Sequence, residues 1–220
     1  MNYASQLIEH LSKLANPSQA PAMEAYMKHH FAFFGIKSEP RKEALKTFIA
    51  AHGLPDDKVF ESTILDLWHA DQREIHYCAQ ELFFKKKWHK QLQSIELIET
   101  MLTTNSWWDS VDFIASNICG AYFKAHPNKI ASIITNWNLD DNIWLNRSSF
   151  LFQLKYKTKT DLILLEKLFE PHLNSKEFFI QKAIGWMLRD ISKHNPSYVA
   201  HYISTHDLKP VSLREAKKYI

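Results

Sequence analysis

The residues best suited to chemistry lie in Trp107-Trp108-Asp109-Ser110-Val111-Asp112. Residues three and four apart share a helical face, so Trp108 and Asp112 stand one above the other, an indole beside a carboxylate. Such a pair suits a flat cationic group whose positive charge moves during a reaction. Trp144 and Arg147 are three apart, and Trp186, Arg189 and Asp190 fall on one helical face. Asp112 is flanked by Val111, Phe113 and Ile114, apolar company in which a carboxylate is costly unless paired or used. Arg147, close to Phe150 and Leu151, is the obvious partner. A structural Asp–Arg pair explains both residues; the same pair opened toward a groove would serve chemistry. Adjacent helical residues point about 100° apart, so Trp107 and Trp108 cannot both face one core. Trp107 shares a face with Val111 and is the core candidate, which leaves Trp108 as the functional one. Asp109 suits the dipole of a first helical turn. Trp68, Trp88 and Trp137 read as core.

The elements that must hold these residues are helices throughout. Nothing alternates with period two. Leu7, Leu11 and Leu14 mark a first helix ended by Asn16-Pro17, and Pro21 opens a second with Met23, Tyr26 and Met27. Ser38-Glu39-Pro40 reads as a cap with Pro in the first turn of a helix stopped by Gly53. Asp56 or Asp57 starts the next, and Asp71 precedes one that runs to Lys85-Lys86-Lys87. Leu92–Leu102 follows. Asn105 or Ser106 caps a longer helix that holds the tryptophan-aspartate segment and ends near His126-Pro127. Ile130–Thr135, Trp144–Leu154, Leu162–Leu173 and a helix from Ser175 continue the series, and Asn195-Pro196 and Leu208-Lys209-Pro210 punctuate its end. Short connections imply that consecutive helices pack antiparallel. Roughly a dozen paired helices predict an all-α fold, an α-solenoid of HEAT-like two-helix repeats with a concave face, in one domain over residues 1–220. A globular orthogonal bundle is the competing architecture.

Composition excludes several classes. With 45% hydrophobic residues the chain can bury a core, and its only glycines are Gly35, Gly53, Gly120 and Gly185. Dinucleotide-binding loops, P-loops and helix-hairpin-helix modules need clustered glycines, so these are excluded. Cys78 and Cys119 stand alone in apolar helical contexts and read as buried reduced thiols. The 12 histidines include no His-x-x-x-His pair, and Asp66-x-x-His69 is isolated, so neither metal nor other cofactor is expected. Without a signal peptide or long apolar run, the chain reads as cytoplasmic, with no membrane partner. A net charge of +3 is small, yet it clusters at Lys85–Lys90, at Lys155, Lys157 and Lys159, and at Arg214, Lys217 and Lys218. Each cluster suits a helix C-terminus; together they favour a polyanionic partner.

Three ordered segments carry a family resemblance. They are Trp107-Trp108-Asp109-x-Val111-Asp112; Trp144-Leu-Asn-Arg147 running into Leu151–Lys157; and Phe178–Trp186-x-Leu188-Arg189. With Tyr26-Met-Lys-x-His30 and Phe34-Gly35-Ile36, they resemble the AlkD family of DNA alkylation repair enzymes over essentially the whole chain. The resemblance implies HEAT-like repeats that hold duplex DNA in a concave basic groove and excise cationic N3-alkyladenine and N7-alkylguanine. It places Trp108, Asp112, Arg147 and Trp186 at active-site positions and Tyr26 at a DNA contact. Lys37 departs from the family pattern, where a glutamine is usual, and puts substrate preference in question.

These residue types fit the implied reaction. Alkylation at N3 or N7 makes the purine cationic, so it leaves as a neutral base without a general acid. The charge passes to the sugar. A carboxylate at Asp112 would stabilise the oxocarbenium-like sugar and position water. Trp108 and Trp186 would offer π-faces to the cation, each worth about 0.5–2 kcal/mol. Arg147 would grip phosphate and keep Asp112 ionised. Lys155, Lys157, Lys159 and Arg189, with Lys37, would supply salt-sensitive DNA affinity. The expected partner is double-stranded DNA with alkylated bases, bound by a monomer. The alternatives are a non-catalytic DNA-binding member of the same family and a protein-interaction solenoid.

Overall fold

The computed structural model describes residues 1–220 and contains no β-strand, only one isolated bridge between Ala32 and Gln72. It is an α-solenoid of HEAT-like helix pairs in which sequence neighbours such as α4 and α5, α9 and α10, and α12 and α13 pack on each other. The helices fall into two compact units, Met1–Trp88 and His89–Ile220. The first contains α1 (Tyr3–Ser12), α2 (Ala20–Tyr26), α3 (Ser38–His52), α4 (Phe60–Trp68) and α5 (Arg73–Lys86). The second contains α6 (Ser94–Thr103), α7 (Trp108–Phe113), a π-helical stretch (Ile114–Cys119), α8 (Gly120–Ala125), α9 (Ile130–Asn138) and α10 (Ile143–Leu151). It continues with α11 (Leu162–Phe169), α12 (Phe178–Ser192), α13 (Pro196–Thr205) and α14 (Pro210–Ala216). No helix is long and apolar enough to cross a membrane.

In the first unit, apolar positions at helical spacing close over a core that includes Leu7, Leu11, Phe60, Ile64, Leu67, Trp68, Ile75 and Leu82. The segment before α3 runs outside any helix, so its backbone donors need other partners. Glu74, fully buried near the start of α5, supplies them. Its Oε1 accepts from the N–H groups of Gly35 and Ile36, both at 2.9 Å, and its Oε2 from that of Phe34 at 3.1 Å. Arg73 beside it stacks 3.8 Å from the Phe31 ring. The helix beginning at Ser38 is preceded by Lys37 as its N-cap, and Gly53 ends it at φ +74° with its N–H on the Ile49 carbonyl, 2.8 Å away.

The centre of the second unit is α10, whose residues 145–151 are all buried. It packs against α6, α7, α9, α11 and α12. A helix covered on every side has no need of an amphipathic pattern, which is why Asn146, Arg147, Ser148 and Ser149 are tolerated in its middle. Each is satisfied, as buried polar groups must be. Asn146 Nδ2 lies 3.0, 3.1 and 2.8 Å from the carbonyls of Trp137, Asn138 and Asp140. Ser148 donates to Trp144 O and Ser149 to Asn146 O. The helix is shorter than the 144–154 run expected from sequence and starts one residue earlier. Asn142 caps it, its Oδ1 accepting from Trp144 N–H at 2.9 Å. The helix expected over 162–173 likewise stops at Phe169 and passes into a 3-10 turn, Glu170–His172, because Pro171 lacks the N–H that an α-turn requires.

Trp68 and Trp137 are buried at 0% and 2% exposure and Trp88 at 8%, as expected for core tryptophans, and Cys78 and Cys119 are free and buried. Gly185 sets the distance between α12 and α14. A Cβ there would lie 2.7 Å from Ser212 O and 2.7 Å from Glu215 Cβ, and backbone cannot yield as a flexible side chain does. Gly185→Ala is therefore expected to destabilise the protein by about 1–3 kcal/mol, the usual range for overpacking. A lowered urea midpoint with an unchanged slope would register it.

Candidate active site

Trp107 lies outside the helix that it precedes. It is the N-cap of α7, in extended conformation at φ −155°, and its carbonyl accepts from Val111 N–H at 3.0 Å. The expected caps, Asn105 and Ser106, fall short of this position: Asn105 turns the chain at φ +49°, and Ser106 Oγ bonds back to Leu102 O at 2.6 Å. Only a helical Trp107 would share the core-facing side of Val111. As an extended cap it is half-buried, its ring 5.7 Å from that of Trp144 and 5.2 Å from that of Phe179. Trp144 and Phe179 close the cluster at 5.0 Å. Asp109 lies in the first turn of α7, as expected.

Asp112 is in the last turn of α7, one turn after Trp108, and α7 passes directly into the π-helical stretch. The apolar pattern explains that transition. Buried residues recur at every fourth position, Val111, Ala115, Cys119 and Phe123, beside Ile114, Ile118 and Tyr122. A regular α-helix drifts by about 40° at each four-residue step. Wider i→i+5 turns cancel the drift and keep both rows on the core, while Asp112 stays at the margin. Wide turns of this kind often mark functional sites. Ser116 Oγ, bonded to Asp112 O at 2.7 Å, and Asn117 Nδ2, bonded to Phe113 O at 2.9 Å, pin the widened turn.

Arg147 closes on Asp112 as a fork. Its Nε donates to Oδ1 at 2.7 Å and its Nη2 to Oδ2 at 2.9 Å, while Nη1 donates to the backbone carbonyl of Phe179. The Asp112 side chain is 16% exposed and that of Arg147 only 2%. The Asp112 side chain therefore keeps a small exposed part and that of Arg147 almost none. Burial pushes the Asp112 carboxyl above the ordinary aspartate value, and the Arg147 charge and hydrogen bonds pull against that rise. The role of gripping phosphate finds no support in this placement, since Arg147 faces Asp112 and Phe179. Three elements thus meet at one ion pair: α7 through Asp112, α10 through Arg147 and α12 through Phe179.

Trp108 and Trp186 are half-buried. Trp186 lies seven residues beyond Phe179 on α12, hence on the same side of that helix. Arg189 Cζ lies 5.9 Å from the Trp186 ring, and its Nη1 is bonded to Glu215 Oε2 at 2.5 Å. Lys155, Lys157 and Lys159 are exposed on one basic turn. Tyr156 docks that turn on α8, its hydroxyl donating to Gly120 O at 2.8 Å, and Lys155 Nζ reaches Asn117 Oδ1 at 2.5 Å. The turn also packs on α12. Tyr26 and Lys37 belong to the first unit, where with Met23, Met27, Phe33 and Tyr77 they line a largely apolar cavity of about 440 Å³. Phe179 carries no signal in the sequence as a partner of Arg147, because its contribution is a backbone carbonyl and a ring edge, and Asn117 and Glu215 are functional neighbours that the sequence pattern does not single out. The fourfold spacing from Val111 to Phe123 was the available signal for the widened helix.

A family model described as DNA alkylation repair enzyme matches residues 7–220. A predicted DNA alkylation repair enzyme from Enterococcus faecalis has a similar solved structure: TM-score 0.86, 32% identity, 94% of this chain and 96% of that one covered. The structure of smu.31 from Streptococcus mutans UA159 aligns with a TM-score of 0.63 at 17% identity over 81% of this chain and 92% of that one, a likeness of fold. No curated protein matches the chain. The extent of the family match and the likeness to the Enterococcus protein show that the chain belongs to the DNA alkylation repair enzyme family.

Proposed function

We propose that the chain is a monofunctional DNA glycosylase, releasing cationic N3-alkyladenine and N7-alkylguanine from duplex DNA by hydrolysis of the glycosidic bond. Family membership supports a DNA repair role. The observation that carries the finer reading is Asp112 itself, a carboxylate held by a buried arginine on a side chain that is still partly exposed, with an indole one turn away. As the glycosidic bond lengthens, its electron pair moves to the purine and neutralises the base. Positive charge appears on the sugar, where a fixed carboxylate stabilises it in a site with little water. Water then adds at the anomeric carbon and loses a proton toward the same carboxylate. Arg147 fixes the direction of the Asp112 oxygens and balances their charge. Trp108 and Trp186 favour a cationic base over a neutral one.

The experiment is incubation of the protein with methylated duplex DNA and quantification of free N3-methyladenine and N7-methylguanine. Release by wild-type protein supports the reading; DNA binding without release supports a non-catalytic family member. The second outcome has its own motive, because Arg147 engages both oxygens of Asp112, as a purely structural pair would. The pH profile adds a test. Only the ionised carboxylate stabilises the sugar cation, and burial raises its pKa. Single-turnover release is therefore expected to fall as pH is lowered through a value above that of an ordinary aspartate. A limb at or below the ordinary value would count against Asp112 as the group that titrates.

A further inference from the structure

Glu215 on α14 is 2% exposed and gathers three cations. Its Oε1 lies 2.5 Å from Lys182 Nζ, its Oε2 lies 2.5 Å from Arg189 Nη1, and Lys218 Nζ lies 2.9 Å from Oε2. Burial works to raise the pKa of this carboxyl. Hydrogen bonds from Lys182 and Lys218, with the charges of Lys182 and Arg189, overcome it and hold the value at about 2. Glu215 is thus ionised wherever a protein would meet DNA. One charge against three leaves a local excess of two positive charges. The burial is unequal: the side chains of Lys182, Arg189 and Lys218 are 34%, 22% and 46% exposed. The anion is sealed beneath and the cations reach solvent. Lys182, Trp186 and Arg189 share one side of α12, being four and seven residues apart, so this cationic surface continues from Trp186. A simple tie between α12 and α14 would need only one cation, and Ser212 Oγ already bonds to Gln181 O at 2.9 Å.

We propose that the seam of α12 and α14 is a binding site for DNA backbone phosphate, formed by Lys182, Arg189 and Lys218 and assembled by the buried carboxylate of Glu215. Glu215 is a positioning residue: it confines three long, otherwise mobile side chains to one patch and lowers the entropy that each would lose on meeting phosphate. The inference rests on duplex DNA being the ligand.

The test is the sign of the response of binding to Glu215→Gln. That substitution removes a negative charge, so unspecific electrostatics predicts tighter binding to DNA. The positioning role predicts the reverse: weaker binding to undamaged duplex and a plot of log K against log[salt] shallower by about 1–2, each lost phosphate contact contributing roughly 0.9. Lys218→Ala, a surface change, is expected to flatten the slope by about 1 and decides the matter if the Glu215 variant fails to fold. Unchanged or tighter binding by a folded Glu215→Gln protein, or an unchanged slope for Lys218→Ala, overturns the inference and leaves the glycosylase reading intact. Failure of wild-type protein to bind duplex at low salt overturns both.

Discussion

Asp112→Asn is expected to lower release of methylated purines from duplex DNA by about 10²–10³-fold or more, the scale set by losing one preorganised electrostatic partner of a developing charge. Duplex affinity should be retained. Asparagine is close to isosteric and keeps an oxygen for Arg147, so the meeting of α7, α10 and α12 survives. What disappears is the negative charge, whose contribution grows only as the sugar becomes cationic and is small in the bound ground state. The loss should therefore fall on the single-turnover rate constant, with the dissociation constant little changed. Should the variant release bases at the wild-type rate, the mechanism is wrong, although the fold and the DNA repair family would stand. Weakened DNA binding with an unchanged rate constant would instead make Asp112 part of the binding surface.

Arg147→Ala is expected to act on stability before chemistry. The guanidinium is 2% exposed and donates to both Asp112 oxygens and to Phe179 O. Removing it leaves a mostly buried carboxylate without its counter-charge and a carbonyl without its donor. Breaking a buried pair from one side typically costs about 3–5 kcal/mol, which for a chain of this size lowers the melting temperature by roughly 6–20 °C. Part of the strain is relieved by proton uptake, so the Asp112 carboxyl should titrate still higher in this variant. Asp112→Asn strips the buried Arg147 cation of its counter-charge but leaves it one amide oxygen as acceptor, so it should also destabilise the protein, by less than Arg147→Ala does. The double variant should therefore be more stable than the sum of the single losses suggests, a coupling that a double-mutant cycle reads directly. Strict additivity would mean that the pair contributes nothing as a pair.

The local chemistry of the chain determined its helices. Proline at a first or second helical position, glycine after a helix end and asparagine before one mark boundaries through short-range hydrogen bonding and steric limits, and so α2, α3, α10 and α13 begin or end close to where the residues indicate. The same logic put Trp108 and Asp112 on one face, because a spacing of four within one helix is itself a contact. Arg147 was legible as a candidate partner, since a charge amid apolar neighbours needs compensation. Tertiary structure alone decided which charges meet. Asp112 and Arg147 are 35 positions apart and Glu215 and Arg189 are 26 apart, and nothing local encodes either distance. It also turned Trp107 into an extended cap within a cluster of rings, gave Arg147 the carbonyl of Phe179, and hid Glu215 beneath three cations. These outcomes depend on how helix faces pack, and packing sums many weak contacts between residues remote in the chain. A helix is settled by neighbours a turn away; a site is settled by whichever faces the core brings together.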